Sequence, residues 1–587
     1  MFLPRMQSKL LALFVIVGFL WLITVQWGAP SVPSSFSNPF SNHDTTSGIS
    51  DEKAAPSAKA PLAVPTKATS PDKEPKPSPA AVKSTKPTQK ASKPKETPKH
   101  KAPLLVVSTI TPHTTDLPKE PASPKATSIP DKADPSNNTL ILTETFKPPT
   151  LENKIAFWKV FEKLLDASKP GCDPPSRQGT AETIGYDKLV VSEHPSERAD
   201  VLFMPDQSVV KMKKAHENFV AGLQAGTLEM VYNPGTRGLV TTAGGPYLPV
   251  FVISLRMLRR TGTTLPMEVF LADKKEYEEY ICDEVFPELN AKCVVLSDIL
   301  EAVPHSLDIT HYQYKVFAMI FSSFEEVLFL DSDAFTLHDA DELFTSEPFT
   351  NHGLVSWPDF WASSASPLYY NISSQPVPPM SLRQSTESGE LLLNKKTHSK
   401  SLLLATYYNY FRRHYYVLFS QGAPGEGDKE TFLAAANALN ETFYATSENV
   451  RPIGHMKHDG KFSGSAMVQY DPIQDYNLTQ NGIWRIKNES AAPQPRPFFL
   501  HVNFPRLNPT KVFDYDEHTR NFQGKEQRIW QSEKDIKEKF GKDIEKEIWQ
   551  EVKYVSCELE DKFETFKGEK GLCEKATKHY QGLFGKT

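Results

Sequence analysis

Two aspartates on alternate residues, Asp331 and Asp333, stand directly after the apolar run 327–330. Carboxylates at that spacing, just past a buried strand, suit one divalent cation bound through oxygen. Mg²⁺ or Mn²⁺ held this way commonly also binds substrate phosphates. Asp-x-Asp is short, and the chain repeats it at Asp339/Asp341 and at Asp514/Asp516. Neither copy follows an apolar strand, so both read as solvated loop or capping carboxylates, and context selects the first pair. A second position of interest is the tight turn Gly244-Gly245, which ends the β-branched run 238–242.

The elements that must position these residues alternate in type. Residues 238–242 read as a strand, and 247–260 as a helix with Leu248, Phe251, Val252, Leu255 and Leu258 at helical spacing. A strand at 267–271, a helix at 274–282, a strand at 293–296, a helix at 312–321 and a fully apolar strand at 327–330 follow. Such alternation implies an α/β fold with a parallel-type sheet and helices on both faces. Ligands of open sheets sit at the carboxyl ends of strands, where both the Gly244-Gly245 turn and the Asp331/Asp333 pair fall. Residues 151–235 carry amphipathic stretches at 155–165 and 209–223 and read as a helical preface packed on the sheet. Residues 524–587 are rich in Lys and Glu, with Ile529, Trp530, Phe540, Ile544 and Trp549 at helical intervals. They read as a packed amphipathic helix with a solvated face, the alternative being a partner site.

The first 150 of the 587 residues have a different composition. Residues 10–27 form an uncharged, largely apolar run close to the length that crosses a bilayer. Arg5 and Lys9 precede it, and no charge follows until Asp44. The positive-inside bias therefore predicts a cytosolic tail at 1–9, an uncleaved transmembrane signal anchor at 10–27 and a lumenal remainder. A signal peptide would have a shorter apolar region and small residues at a cleavage site; here Trp27-Gly28-Ala29-Pro30 follows. Residues 28–150 hold 22 of the chain's 48 prolines and almost no aromatics, so they read as a disordered Pro/Lys/Ser/Thr-rich stem. Its length lies between about 60 Å as a coil and a few hundred Å extended.

With a net charge of −5, the chain is no candidate for nucleic-acid binding. Five cysteines are too few for a dense disulfide framework. Cys282 and Cys293, and Cys557 and Cys573, are close enough in sequence to pair in a secretory-pathway lumen, which would leave Cys172 free. Asn-x-Ser/Thr sequons begin at Asn137, Asn371, Asn440, Asn477 and Asn488, all beyond the expected anchor.

Six segments in order resemble the fungal Golgi mannosyltransferases that build mannan branches. They are 241–245, 254–262, 327–335, 357–361, 387–390 and 427–432. The resemblance covers about 230–510, within an expected lumenal catalytic domain at 151–587 that ends in the helical extension 524–587. It is most similar to the α-1,2-mannosyltransferase group that adds the first branch residues to an α-1,6-linked backbone. The family is also close to α-1,3-mannosyltransferases. The resemblance implies a GT-A-type nucleotide-diphosphosugar transferase fold behind a single transmembrane helix and a stem. It further implies GDP-mannose as donor, Mn²⁺ or another divalent cation, and a mannan or N-glycan outer-chain acceptor. The location would be the Golgi membrane, single-pass type II, in an assembly that includes a mannosyltransferase complex in one reading.

Carried onto this chain, the resemblance makes Thr241, Thr242, Gly244 and Gly245 the lining of a nucleotide pocket, where glycine lets the backbone approach the ligand. Asp331 and Asp333 would hold Mn²⁺ at the diphosphate, and His501, after the strand-like 498–500, would add a histidine ligand. His455 and His458 compete for that role but lie in a Gly- and Lys-containing loop. Asp359 sits between Trp357 and Trp361, whose faces suit sugar packing or the protein core. Asp359, Glu387 and Asp428 are the candidate catalytic carboxylates, able to stabilise an oxocarbenium-like centre or orient an acceptor hydroxyl. Lys315 reaches either a diphosphate or only solvent from its helix; Lys429 neutralises phosphate or pairs with Glu430. An α-linked donor and an α-linked product imply retention of configuration, by double displacement or by same-face attack. Competing readings are an α-1,3-mannosyltransferase, a catalytically silent scaffold of a mannan-assembling complex and a membrane-tethered carbohydrate-binding protein.

Overall fold

A computed structural model describes residues 148–585 except Thr183, 185–196, Thr227, His305, Glu426, His458 and Gln531. The chain divides into two units, and the described residues all belong to the larger one. The expected anchor, the stem up to residue 147, Asn137 and His458 lie outside the described residues. Among those described, no helix is long and apolar enough to cross a membrane.

The helical preface is present as two helices, Leu151–Ala167 and Asp206–Ala225. Thr150 caps the first, its hydroxyl accepting from the Asn153 N–H at 3.2 Å. The buried face of that helix carries Phe157, Trp158, Phe161, Leu164 and Leu165. Trp158 packs edge-on against Phe317 and Phe321 of the helix Gln313–Phe321. Between the two helices, β1 (Ser176–Arg177) and β2 (Leu202–Phe203) form a small antiparallel ribbon.

Among the described residues, eleven further strands build two sheets. The larger contains β3 (Asn233–Thr242), β4 (Met267–Leu271), β5 (Ala291–Val295), β6 (Phe324–Leu330), β8 (Leu354–Ala362), β9 (Gln384–Asn394) and β10 (Tyr444–Ala445). Their spatial order is β10-β8-β9-β6-β3-β4-β5. All five residues of β4 are buried, as a strand covered on both faces requires. Alternation along the central strands divides two cores. Leu239, Val269, Leu271, Leu328 and Leu330 face the helix Leu248–Arg260 and the carboxyl-terminal helices. Val240, Phe270, Val327 and Phe329 face the preface and the helices Gln313–Phe321, Ser399–Tyr410 and Thr431–Ala438. Helices thus cover both faces, as the alternation predicts.

The sheet is mixed rather than parallel throughout. β3, β4, β5 and β6 run parallel, but β9 lies antiparallel to both β6 and β8. This reversal brings residues 387–390 of β9 to the edge where β6 ends, with Glu390 opposite Leu330. The second sheet, β11 (Arg451–Met456), β12 (Phe462–Tyr470), β13 (Pro497–His501) and β7 (Ala334–Thr336), is antiparallel, and it sets His501 opposite Ala334.

The expected helix at 274–282 is instead one turn at Lys274–Glu276, a break, and a π-helical turn at Ile281–Val285. Tyr277 leaves the helical region at ψ 104°, and the Asp273 carboxylate caps the short turn by accepting from the Lys275 N–H. Disulfides join Cys282 to Cys293 and Cys557 to Cys573, while Cys172 is free. The extension forms the helices Glu533–Phe540, Ile544–Glu558 and Leu572–Phe584. Its buried Glu551 pairs with Arg256 and Arg260 of the helix Leu248–Arg260, which docks it on the sheet domain.

Candidate functional site

The carboxyl ends of β3 and β6, the reversed start of β9 and the end of β13 converge on one cluster. Asp331 and Asp333 leave β6, and the backbone fixes both: the Asp331 N–H donates to the Gly389 carbonyl at 2.8 Å, and the Val502 N–H to the Asp333 carbonyl at 2.9 Å. His501 Nε2 lies 3.1 Å from Asp333 Oδ1. Asp331, Asp333 and His501 each offer one ligand atom, all within 4.8 Å of one another. Two carboxylates and one imidazole on rigid strand ends fit a hard divalent cation such as Mn²⁺ or Mg²⁺.

Lys315 stands behind this cluster and is buried. Its Nζ donates to Asp331 Oδ2 at 3.2 Å, to the Ser388 carbonyl at 2.6 Å and to the Ser388 hydroxyl at 2.9 Å. All three ammonium hydrogens are used, so it is not the solvated helix lysine of one sequence reading. Burial opposes its charge, but Asp331, Asp428 and Glu387 outweigh that and hold its pKa above the ordinary range. Burial pushes Asp331 up despite Lys315 and His501. In Asp333 burial works the same way, yet His501 and Arg506 prevail and its pKa is lowered. His501, although buried, is raised to about 10 by Asp333.

The three candidate catalytic carboxylates lie in the same wall. Asp428 Oδ2 accepts from the Ser388 hydroxyl at 3.2 Å and sits 4.0 Å from Lys315 Nζ. Asp359 pairs with Lys429, both buried. Lys429 therefore pairs with Asp359, whereas Glu430 binds Arg383 at 2.8 Å and is held down at about 2 by it in spite of burial. Glu387 Oε1 accepts from the N–H groups of Ser388 at 3.0 Å and Gly389 at 2.8 Å. Trp357 is a core residue: its indole donates to the Tyr470 carbonyl at 2.9 Å and it packs edge-on against Phe499. Trp361 is half-buried beside Phe360.

Thr241 is buried at the end of β3, its hydroxyl without a hydrogen-bond partner, and Thr242 is half-buried next to it. Gly245 has φ +50° and open space where a side chain would begin. At Gly244 a Cβ would meet the Glu276 carboxylate at 2.2 Å, so glycine there accommodates a neighbouring side chain. His455 directs both ring nitrogens to backbone carbonyls, those of Ile529 and Glu517, each at 3.0 Å, away from the cluster. The other Asp-x-Asp copies are local: Asp339 accepts from Thr263 at 2.9 Å, and Asp516 pairs with Arg520 at 2.9 Å.

Four residues at or beside the site had not been singled out from sequence. Arg506 Nε lies 3.7 Å from Asp333 Oδ2, and its guanidinium stacks 4.9 Å over the Tyr247 ring. Asn508 donates to the Pro246 carbonyl at 2.6 Å, tying the loop after β13 to the glycine turn. Glu276 fills the space beside Gly244. Glu390 is wholly buried with both carboxylate oxygens lacking partners, and burial pushes its pKa up to about 8. Its sequence signal was an acidic residue directly before the apolar run 391–393.

The mannosyltransferase family Mannosyl_trans3 matches residues 236–381 and 379–471. Alpha-1,2-mannosyltransferase MNN21 of Candida albicans is 31% identical over 509 residues, covering 75% of this chain and 76% of the relative. Alpha-1,2-mannosyltransferase MNN2 of Saccharomyces cerevisiae is 32% identical over 426 residues, 60% of this chain and 69% of the relative. Among solved structures, the galactosyltransferase LgtC with donor and acceptor sugar analogues aligns with 36% of this chain and 73% of its own, at 13% identity and a TM-score of 0.25. The sequence relatives are glycosyltransferases. The chain belongs to the fungal α-1,2-mannosyltransferase family.

Proposed function

We propose that this protein transfers mannose from GDP-mannose to α-mannan or N-glycan outer-chain acceptors, forming α-1,2 branches with retention of configuration. The observation that carries the reading is the convergence of Asp331, Asp333 and His501 at the carboxyl ends of the strands, in a chain of this family. Asp331, Asp333 and His501 hold the divalent cation, Mn²⁺ in the first instance, in a fold of GT-A type. A cation held by these three residues would supply positive charge to neutralise a diphosphate leaving group. Thr241, Thr242, Gly244 and Gly245 line the nucleotide end, where the open space at Gly245 admits a ligand. Lys315 fixes the Asp331 carboxylate and balances the local negative charge. Arg506, half-exposed next to Asp333, adds a positive charge facing an anionic donor. Asp359 and Asp428, each near a lysine, supply carboxylates at the sugar end, with Glu387 in the same wall.

A membrane anchor at 10–27 and the proline-rich stem would hold the domain 151–587 in the Golgi lumen, where such acceptors pass. The exposed sequon residues Asn371, Asn440, Asn477 and Asn488 are compatible with that compartment.

The test is product linkage. The purified full chain, incubated with GDP-mannose, Mn²⁺ and linear α-1,6-mannan, is expected to give a product cleaved by an α-1,2-specific mannosidase. A product resistant to that enzyme would refute the linkage. No transfer by folded protein that binds GDP would refute the activity.

A further inference from the structure

His501 presents two different nitrogens to its surroundings. Nε2 faces Asp333 at 3.1 Å, on the side where a cation fits. Nδ1 is buried and has no hydrogen-bond partner; Glu387 Oε1 lies 3.8 Å from it. A buried N–H without a partner is costly. A metal-bound histidine usually donates its other N–H to a carboxylate or carbonyl, which fixes tautomer and ring orientation.

Glu387 is already oriented for that role. Its Oε1 accepts from the backbone N–H groups of Ser388 and Gly389, which fold the carboxylate back over its own turn. Gly389 supplies the space. A Cβ there would stand 2.6 Å from both Cε1 and Nδ1 of His501 and 3.3 Å from Glu387 Oε1. The glycine is needed because an imidazole packs on its Cα.

We infer that Glu387 and Gly389 position His501: Gly389 provides the slot for the ring, and Glu387 accepts the Nδ1–H, leaving the Nε2 lone pair for the cation. This assignment rests on the metal-site reading above and changes the work of Glu387. It acts through His501 instead of on the sugar, and is a positioning residue. The same short turn also fixes the other side of the cluster, since the Gly389 carbonyl holds Asp331 and Ser388 holds Lys315.

Mn²⁺ affinity separates the two roles, because it is read without substrate. Full-length protein is titrated with Mn²⁺ alone, free ion being followed by electron paramagnetic resonance, for the unsubstituted chain, Glu387→Gln, Gly389→Ala and Glu390→Gln. Glu387→Gln and Gly389→Ala are each expected to weaken Mn²⁺ roughly ten- to hundred-fold, with Glu390→Gln close to unsubstituted. Glu387→Gln has no steric demand, so it stands even where Gly389→Ala misfolds. Unchanged Mn²⁺ affinity in Glu387→Gln, with transfer lost, would overturn the inference and return Glu387 to the sugar. A large loss in Glu390→Gln alone would name Glu390 as the partner and also overturn it. Failure of the unsubstituted chain to bind Mn²⁺ would overturn the metal-site reading itself.

Discussion

His501 and Asp333 meet at 3.1 Å although 168 positions separate them, because β13 pairs with β7 and sets His501 opposite Ala334. The residue that follows the Asp-x-Asp pair is thus also the one that anchors the strand carrying the histidine. A single β-pairing therefore brings the candidate ligands Asp333 and His501 together at the edge of the second sheet.

Metal binding should depend on pH in a definite direction. Asp333 holds the proton on His501 up to about pH 10. Deprotonated Nε2 is needed for a cation, so Mn²⁺ and the proton compete. Mn²⁺ affinity is expected to rise steadily from pH 6 to pH 9, and binding at pH 7 in weak buffer should release protons, measurable by calorimetry in buffers of different ionisation enthalpy. Affinity independent of pH would remove His501 from the ligand set.

Lys315→Met should be destabilising. The substitution leaves Asp331 and Asp428 without the ammonium beside them and removes three hydrogen bonds. Breaking a buried pair from one side costs about 3–5 kcal/mol. Asp331 is part-exposed, so about 3 kcal/mol is expected in equilibrium denaturation. A change below about 0.5 kcal/mol would place Lys315 among ordinary surface lysines.

Glu390 gives stability a slope of its own. Its folded pKa of about 8 lies above the ordinary carboxyl value, so folding binds a proton. The stability present below the unfolded pKa is lost as pH rises from about 4.5 towards 8, by at most about 1.4 kcal/mol per unit. Glu390→Gln cannot ionise and should flatten that slope in denaturation series at pH 5, 6, 7 and 8. Parallel curves for the two proteins would contradict the buried, protonated state.

Trp357→Ala should act on stability. The indole is buried, hydrogen-bonded to Tyr470 and packed on Phe499. A loss of about 3–5 kcal/mol is expected, while Trp361→Ala should change the melting temperature little. The reverse order would place Trp357 at a ligand instead of in the core.

How much of this was legible in the sequence depended on whether each cause was local. The candidate metal pair stood out because an apolar strand precedes it, and His501 because the family resemblance implies a histidine ligand after a late strand, which 498–500 supplies. The strands from 238 to 330 followed from β-branched and apolar runs. The antiparallel course of β9 did not, since direction is set by neighbours, and its first residues, Gln384, Ser385 and Thr386, are polar although buried. Lys315 was open between two readings because its partners lie just past β6 and on β9. Gly389 carried no sign of its role, because the ring that requires it comes from β13. The break in the expected helix at 274–282 was not legible, because Tyr277 leaves the helical region at ψ 104° and nothing in its residue type announces that.

The proposed function stands or falls with a cation site of Asp331, Asp333 and His501 at which the donor is held. Asp333→Asn tests it most directly, since the side chain keeps its shape and loses only its charge. The measurement is Mn²⁺-dependent GDP binding by the full chain, with melting curves establishing that both proteins are folded. Binding is expected to be Mn²⁺-dependent in the unsubstituted protein and lost in Asp333→Asn. Equal Mn²⁺-dependent binding in both would contradict it.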